Sequence, residues 1–335
     1  MSTFGARILA SAGQGTLDPS FSLLAPGASA NAGRTDALFI ALLVLCGGMA
    51  IVIATLIVVF SFRYRRHAVV DRGSQASGES AGEIRLEIAW TVTPLLIFLG
   101  IFAWSTWDYI RTTRTPADAL PVYVVAKQWM WKLQQRTGRR EINELHVPLG
   151  QPVRLVMTSQ DVIHSFFVPA FRLKQDVVPG RYTTLSFTAT RLGEFHLFCA
   201  EYCGSEHSMM IGRVVVMMPA DFSRWLAAGP NEPGLAERGF ALYRSRGCSG
   251  CHEPGSTVHA PSLAGLIGRT VHLQDGRSLV ADENYVRDSV LLPLKDVVAG
   301  FDPVMPSFAG QLDEEEIAAI VAYIRSTSDA SEGRR

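Results

Sequence analysis

Two long apolar runs constrain this chain more than any other feature. Residues 37–62 and residues 88–107 contain no Asp, Glu, Lys or Arg. At a rise of about 1.5 Å per residue they make helices of roughly 39 Å and 30 Å. A bilayer hydrocarbon core is about 30 Å thick. Buried core helices of a soluble fold are the alternative, but uncharged runs of this length are rare there. The pair therefore predicts a two-helix transmembrane hairpin. Trp104 and Trp107 close the second run, where an aromatic belt would lie. Residues 63–87 between the runs hold Arg63, Arg65, Arg66, Arg72 and Arg85, whereas residues 1–36 hold only Arg7 and Arg34. Excess positive charge stays in the cytoplasm. That orientation puts residues 1–36, and everything after Trp107, outside. The first residues have too short an apolar stretch for a signal peptide, and their processing stays open.

Overall charge is balanced at 31 basic and 31 acidic residues, which excludes a strongly basic nucleic-acid binder. The balance conceals a split. Residues 108–230 carry 14 basic and 10 acidic side chains, and residues 231–335 carry 10 and 15. Two outward segments of opposite sign should attract each other at low salt and less so at high salt. The five cysteines are too few for a disulfide framework, so those outside the membrane need another occupation.

Between residues 118 and 222, short β-rich runs such as PVYVVAKQWMWKLQ, QPVRLVMTS and RYTTLSFTAT alternate with turns. They predict a small β-sandwich or barrel. It would carry the segment Cys199-Ala-Glu-Tyr-Cys203-Gly-Ser-Glu-His207-Ser-Met-Met210. A Cys, His and Met on one loop, with a second His from another strand, is a copper ligand pattern. His164 can be that second His. The extra cysteine allows two thiolates to bridge two metal ions, and the Glu201 carbonyl between them can complete the second. Delocalising one electron over such a pair would lower the reorganisation that accompanies electron transfer. A structural zinc and a Cys199–Cys203 disulfide are the competing readings.

Pro230, Pro233 and Gly234 mark a linker into a third region, 231–328. An amphipathic helix with Leu235, Phe240, Leu242 and Tyr243 runs into Cys248-Ser-Gly-Cys251-His252, the C-x-x-C-H pattern of covalent haem attachment. Met305, between Val304 and Pro306, can be the sixth iron ligand. The segment LDEEEIAAIVAYIRS then begins with acidic residues and places Ile317, Ile320, Val321 and Ile324 on one face, as a well-started helix does. A redox dithiol or a zinc site is the alternative for Cys248 and Cys251. Cys46 lies in the first apolar run and reads as a small apolar residue there. His196 reads as packing or surface.

The segments at 199–210, 161–166 (DVIHSF), 128–131 (QWMW), 173–181 (LKQDVVPGR) and 86–94 (LEIAWTVTP), with the double span, resemble subunit II of the haem–copper cytochrome c oxidases over roughly residues 16–222. Residues 231–328 resemble a class I cytochrome c. The first resemblance implies an all-β cupredoxin domain, a Greek-key barrel, with a binuclear copper centre, CuA. Its ligands would be His164, Cys199, Glu201 through its carbonyl, Cys203, His207 and Met210. The Glu201 side chain would reach a Mg²⁺ or Mn²⁺ shared with subunit I. Trp129 would match the point where electrons enter, or else be a barrel or interface tryptophan. Glu87 would match the mouth of a proton path, or else be a glutamate favoured at a helix N-terminus. The second resemblance implies an all-α domain with haem c on Cys248, Cys251, His252 and Met305, its His252 ring held by the Pro261 carbonyl. A subunit II fused to a cytochrome c looks like that of a caa3-type oxidase, in a bacterial inner membrane beside subunits I and III and lipid. It would take electrons from a cytochrome c or similar donor and pass them through haem and copper to haem a of subunit I. There O₂ is reduced to water and protons are pumped. A donor to a nitric oxide reductase, and a metal-delivery protein, are the alternatives from other classes.

Overall fold

A computed structural model describes residues 24–66, 81–228 and 233–332. Arg7, His67, Arg72 and Pro230 lie outside the described residues. Helix α1 spans Ala32–Arg63 and α2 spans Ala81–Thr113, both longer than their apolar runs. Their apolar side chains, Ile57 and Phe98 among them, are exposed along the whole length. An apolar surface of that extent needs lipid or an apolar partner to cover it. The start of α1 and the end of α2 meet where Arg34 Nε donates to Asp108 Oδ1 at 2.8 Å. Both ends also touch the β domain. Arg172 grips the Asp36 carboxylate through Nε at 2.6 Å and Nη2 at 3.1 Å, and Thr115 bonds Ser186 at 2.8 Å. Residues 28–30 lie along that domain, with Ala28 N donating to Ala170 O and Ala30 N to Thr188 O. These two helix ends therefore share a side with the β domain.

Ten strands follow: β1 Leu120–Lys127, β2 Met130–Gln135, β3 Arg140–Ile142, β4 Glu144–Pro148, β5 Pro152–Ser159, β6 His164–Val168, β7 Leu173–Val177, β8 Thr183–Thr188, β9 Gly193–Cys199 and β10 Ile211–Met217. They form two five-stranded sheets, in the orders β3-β2-β1-β5-β8 and β4-β10-β9-β6-β7. The β1–β5 and β4–β10 pairs are parallel and the rest antiparallel. The expected all-β cupredoxin domain, a sandwich or barrel, is present as two packed sheets. Alternate residues such as Val124, Leu133 and Leu155 meet Phe166, Leu197 and Val214 in its core. Trp131 is fully buried, edge-on to Phe166 at 5.2 Å and to His164 at 6.1 Å. The chain passes from the first sheet to the second at Asn143, whose φ of 57° lies in the left-handed region that Asn tolerates. Its Oδ1 accepts Trp131 N at 2.8 Å, and its carbonyl accepts Arg213 N at 2.9 Å.

Strand β1 reads PVYVVA, without the alternation of a half-exposed strand. Runs of that kind mark strands covered on both faces. Here Val122, Val124 and Ala126 face the sandwich core, while Tyr123 joins Val156 of β5 and Tyr182 in a second core, shared with the helical region.

After the last strand, α3 Pro219–Ala227 folds back on the sandwich, with Trp225 stacked on His146. The helical region consists of α4 Leu235–Ser245, α5 Ser249–His252, a short hairpin of β11 Thr270–His272 with β12 Ser278–Val280, α6 Glu283–Leu291 and α7 Glu314–Glu332. The hairpin is an addition to an otherwise all-α domain. Helix α7 starts with a capping box. Asp313 Oδ1 accepts Glu316 N at 2.8 Å, and Glu316 Oε2 accepts Asp313 N at 3.1 Å. The expected apolar faces meet, with Leu235, Ile317, Ile320, Val321 and Ile324 all buried. Each such side chain contributes about 1.5–3 kcal/mol through burial. Phe240 instead stays on the rim against Tyr323, with ring centroids 5.3 Å apart.

Helices α4 and α7 cross at Gly239, where a Cβ would stand 1.9 Å from Ala319 O. Because that obstacle is backbone, Gly239→Ala must push the helices apart. Overpacking of this kind costs about 1–3 kcal/mol. A urea titration of the detergent-solubilised chain, followed by circular dichroism, should show an earlier helical transition; an unchanged midpoint would contradict this packing.

Candidate functional site

Strand pairing brings the chemistry to one end of the sandwich. Cys199 ends β9, and β6 begins at His164 beside it, with Phe166 paired to Cys199. The loop then carries Cys203 and His207 and returns at Met210, just before β10. It is closed by Cys199 N donating to Met210 O at 3.2 Å and Ala200 N to Ser165 O at 3.0 Å. The two sulfurs stand 3.8 Å apart as free thiols. His164 Nδ1 is 3.9 Å from the Cys199 sulfur and His207 Nδ1 is 3.4 Å from the Cys203 sulfur. The Met210 Sδ is 3.9 Å from the Cys203 sulfur, and the Glu201 carbonyl accepts from Cys199 at 3.2 Å. His164, Cys199, Cys203 and Met210 are buried, while the Glu201 side chain reaches the surface.

A residue that sequence reasoning passed over orients this cluster. Asp161 Oδ1 contacts His164 Nε2 at 2.8 Å, which leaves Nδ1 as the nitrogen facing the sulfurs. The carboxylate is itself held by Gln128 N at 2.8 Å and Val162 N at 2.7 Å. Its position three residues before a ligand-type histidine was the available signal, because ligating histidines are usually held through their other nitrogen. Gln128 Nε2 and Trp129 Nε1 both donate to the Cys203 carbonyl, at 2.7 and 3.3 Å. Trp129 thus rests on the loop itself. Gly204 makes this contact possible: its φ is +122°, and a Cβ there would lie 2.9 Å from Gln128 Nε2.

The electrostatics are those of a paired site. Burial works against the Cys199 thiolate, but hydrogen bonds involving His164, Ser165, Glu201 and Cys203 outweigh it and bring its pKa down to about 6. Burial, then the neighbouring Cys199 charge, pushes Cys203 up to about 12. His164 is raised: burial opposes the shift, and Cys199 and Asp161 prevail. Asp161 is lowered, since bonds from Gln128 and His164 overcome its burial. Without a cation, only one of two sulfurs this close ionises near neutral pH. Two thiolates, two imidazoles and a thioether are soft and borderline donors, and the Glu201 carbonyl is the single hard oxygen among them. They suit copper rather than Mg²⁺ or Ca²⁺, and their number exceeds the four of a structural zinc.

Among the described residues, the other histidines lie apart from this cluster. His196 is exposed on β9 against Phe198, His146 bonds Glu141 and stacks on Trp225, and His272 bonds Ser278. Glu87 is exposed in the second turn of α2, past the helix start at Ala81 and toward the end of α2 remote from the β domain.

A second site lies in the helical domain. Cys248, Cys251 and His252 line one side of an apolar cavity and Met305 belongs to the same lining, with Val286, Val290, Phe308 and Ile324 among the walls. His252 Nδ1 meets the Pro261 carbonyl at 2.8 Å, which commits that nitrogen and leaves Nε2 as the one able to bind iron. His259 stacks on Phe301 at the cavity edge, with centroids 4.5 Å apart. An apolar slot with two thiols, an imidazole and a thioether fits a covalently attached haem.

Comparison with known proteins covers both halves. The family profile described as cytochrome c oxidase subunit II, periplasmic domain, matches residues 104–217, and the cytochrome c profile matches residues 236–328. Cytochrome c oxidase subunit 2 of Thermostichus vulcanus is 31% identical over 276 residues, covering 64% of this chain and 83% of that protein. The subunit 2 of Alkalihalophilus pseudofirmus is 28% identical over 301 residues, covering 83% and 82%. Among solved structures, the periplasmic domain of subunit II of cytochrome oxidase of Bradyrhizobium japonicum is 28% identical, covering 35% of this chain and 96% of that one, at a TM-score of 0.33.

The unequal cysteines can be checked in the reduced, metal-free chain. Ultraviolet thiolate absorbance, taken as a difference against Cys199→Ser, should show an ionisation with a midpoint of about 6. Removing Cys199 should also lower the Cys203 midpoint, by deleting the neighbouring charge. Two equal, ordinary midpoints would contradict the pairing.

Proposed function

Because this chain belongs to the cytochrome c oxidase subunit 2 family and carries a cytochrome c domain, we propose that it is the electron-receiving subunit of a caa3-type oxidase. One observation carries the reading. Donors from β6, the end of β9 and the loop between β9 and β10 converge at one end of the sandwich, in the same chain as a haem-type cavity. His164, Cys199, Cys203, His207, Met210 and the Glu201 carbonyl would hold CuA. Cys248 and Cys251 would attach haem c, with His252 and Met305 on its iron. When bound, these groups supply one-electron chemistry, from a cytochrome c or similar donor through haem c and CuA to haem a of subunit I, where O₂ becomes water and protons are pumped.

The residues of this chain tune and dock those groups. Asp161 fixes which His164 nitrogen faces the sulfurs, and the bond from Trp129 to Cys203 O couples an aromatic ring to the loop. Tyr202 and Met209 are exposed on that loop, as an apolar contact for subunit I. The exposed Glu201 carboxylate suits a Mg²⁺ or Mn²⁺ at the same interface. Glu87, at the opposite end of α2, suits a proton path that begins on the other side of the membrane. Helices α1 and α2 are the membrane anchor, beside subunits I and III in a bacterial inner membrane. Residues 118–222 serve as the copper domain and 231–328 as the haem domain, both on the outer side.

Low-temperature electron paramagnetic resonance of the isolated protein should show one electron shared by two copper nuclei, beside a low-spin ferric haem. Cys203→Ser should abolish the shared signal and leave the haem signal intact. A single isolated copper, or none, in the unaltered protein would overturn the reading. Consumption of NO rather than O₂ by the copurified complex would redirect it to a nitric oxide reductase.

Replacing Met305 tests the haem assignment separately. A thioether ligand raises a haem potential relative to bis-histidine ligation. Met305→His should therefore lower the potential in a redox titration while the thioether attachment at Cys248 and Cys251 persists. An unchanged potential would remove Met305 from the iron.

A further inference from the structure

The helical domain meets the sandwich through a set of charges largely withdrawn from water. Glu283 opens α6 and is 5% exposed. Its Oε1 accepts Arg154 Nη2 of β5 at 2.7 Å and also pairs with Arg325 of α7. One turn on, Arg287 is 6% exposed. It donates to the Gly180 carbonyl at 2.6 Å and to Glu314 of α7 at 2.6 Å. Between them, Asn284 pairs with the Tyr182 backbone as a strand partner would, accepting from Tyr182 N at 2.6 Å and donating to Tyr182 O at 3.3 Å. Lys132 of β2 meets Glu315 at 2.8 Å on the edge. Beneath these charges Tyr123, Val156 and Tyr182 share one apolar core with Leu235 and α7.

Helix α6 also has a second duty. Glu283, Asn284 and Arg287 face the sandwich, while Val286, Ser289 and Val290 line the haem-type cavity. On the sandwich side, Arg154 sits on β5, which leads through Ser159 to Asp161 and His164. A cleft beside the contact is lined by Lys127, Gln160 and Asp161 on one bank and by Leu291, Leu312 and Glu314 on the other. One short helix thus links the wall of one redox site to the strand that leads to the other.

We propose that α6 is a clamp holding the haem domain in one orientation on the copper domain, with Glu283, bound between Arg154 and Arg325, as its positioning residue. Linked domains move relative to one another by default, unless their interface is extensive and apolar. This interface is apolar at its centre, and its ion pairs are sheltered, so screening by salt reaches them weakly. The opposite charges of the two segments therefore act through a few sheltered pairs rather than as a loose attraction between surfaces. Losing Arg154 leaves Glu283 to Arg325 alone and removes the pair that crosses between the domains. Losing Glu283 leaves two arginines in a sheltered site without their carboxylate, which costs more than the intact pair contributes. The clamp's purpose, a constant haem-to-copper separation, rests on the electron-transfer reading above; its geometry does not.

The test uses the detergent-solubilised holoprotein in a Cys46→Ala background. Gadolinium spin labels are placed at Ser223→Cys and Val280→Cys, exposed positions in the two domains. Pulsed dipolar measurements should give a single narrow distance, unchanged from low salt to about 1 M, where the screening length is only about 3 Å. Arg154→Gln should lose the narrow distance and Arg154→Lys should keep it, with the haem spectrum reporting that the haem domain stays folded in each. Glu283→Gln should lose it as well. A broad distribution in the unaltered protein, a distance that spreads with salt, or a narrow distance surviving in Arg154→Gln would each overturn the clamp. Missing copper or haem spectra in the unaltered protein would instead sink the electron-transfer reading and leave the distance result standing.

Discussion

Two cysteine sulfurs 3.8 Å apart in a buried pocket set the terms for this molecule. Water cannot reach them well enough to support two thiolates, and each penalises the charge of the other. The surroundings resolve the conflict by favouring one. His164 and backbone bonds draw Cys199 down to about 6, while Cys203 is pushed up to about 12. Two thiolates there would need positive charge beside them, and the imidazoles and thioether around the pocket are donors suited to copper. The bond from Asp161 to His164 keeps that donor set oriented, as outer partners of metal-binding histidines do.

The sandwich exists around that end of the molecule. Trp131 fills the space behind His164, and the left-handed turn at Asn143 carries the chain from one sheet to the other. Anchoring to the membrane helices comes from the side, through Arg172 on Asp36 and the bond between Thr115 and Ser186. Arg34 on Asp108 ties the two helix ends to each other. The loop that carries the paired cysteines is therefore held by rigid elements on several sides.

The first sheet has two faces and both are occupied. Its inner face packs against the second sheet, and its outer face carries the helical domain, so strands β1 and β5 are apolar in consecutive positions. The charges on that outer face, Lys132 and Arg154, find Glu315 and Glu283. The apolar core and the ion pairs act together: the core excludes water, and exclusion of water strengthens the pairs. Close approach of α4 to α7 at Gly239 gives the helical domain the compactness to act as one body.

Much of this was legible in the sequence because the signals are local. Uncharged runs of membrane length, C-x-x-C-H, and cysteines, histidine and methionine on one loop each name their chemistry through residue type and spacing. Helix α7 announced itself through acidic residues before an apolar face. What the sequence could not display was mutual orientation. Asp161 lay inside a quoted motif without a role, because its value comes from meeting His164 Nε2. Nothing in the sequence set Glu283 apart, and the unbroken PVYVVA gave no hint of what covers its second face. Segment charges foretold attraction but not burial. Spacing along a chain determines which ligands and helices can form. Distance across the fold decides which charges leave water together, because the energy of a polar group depends on its dielectric surroundings and on the partner it meets there.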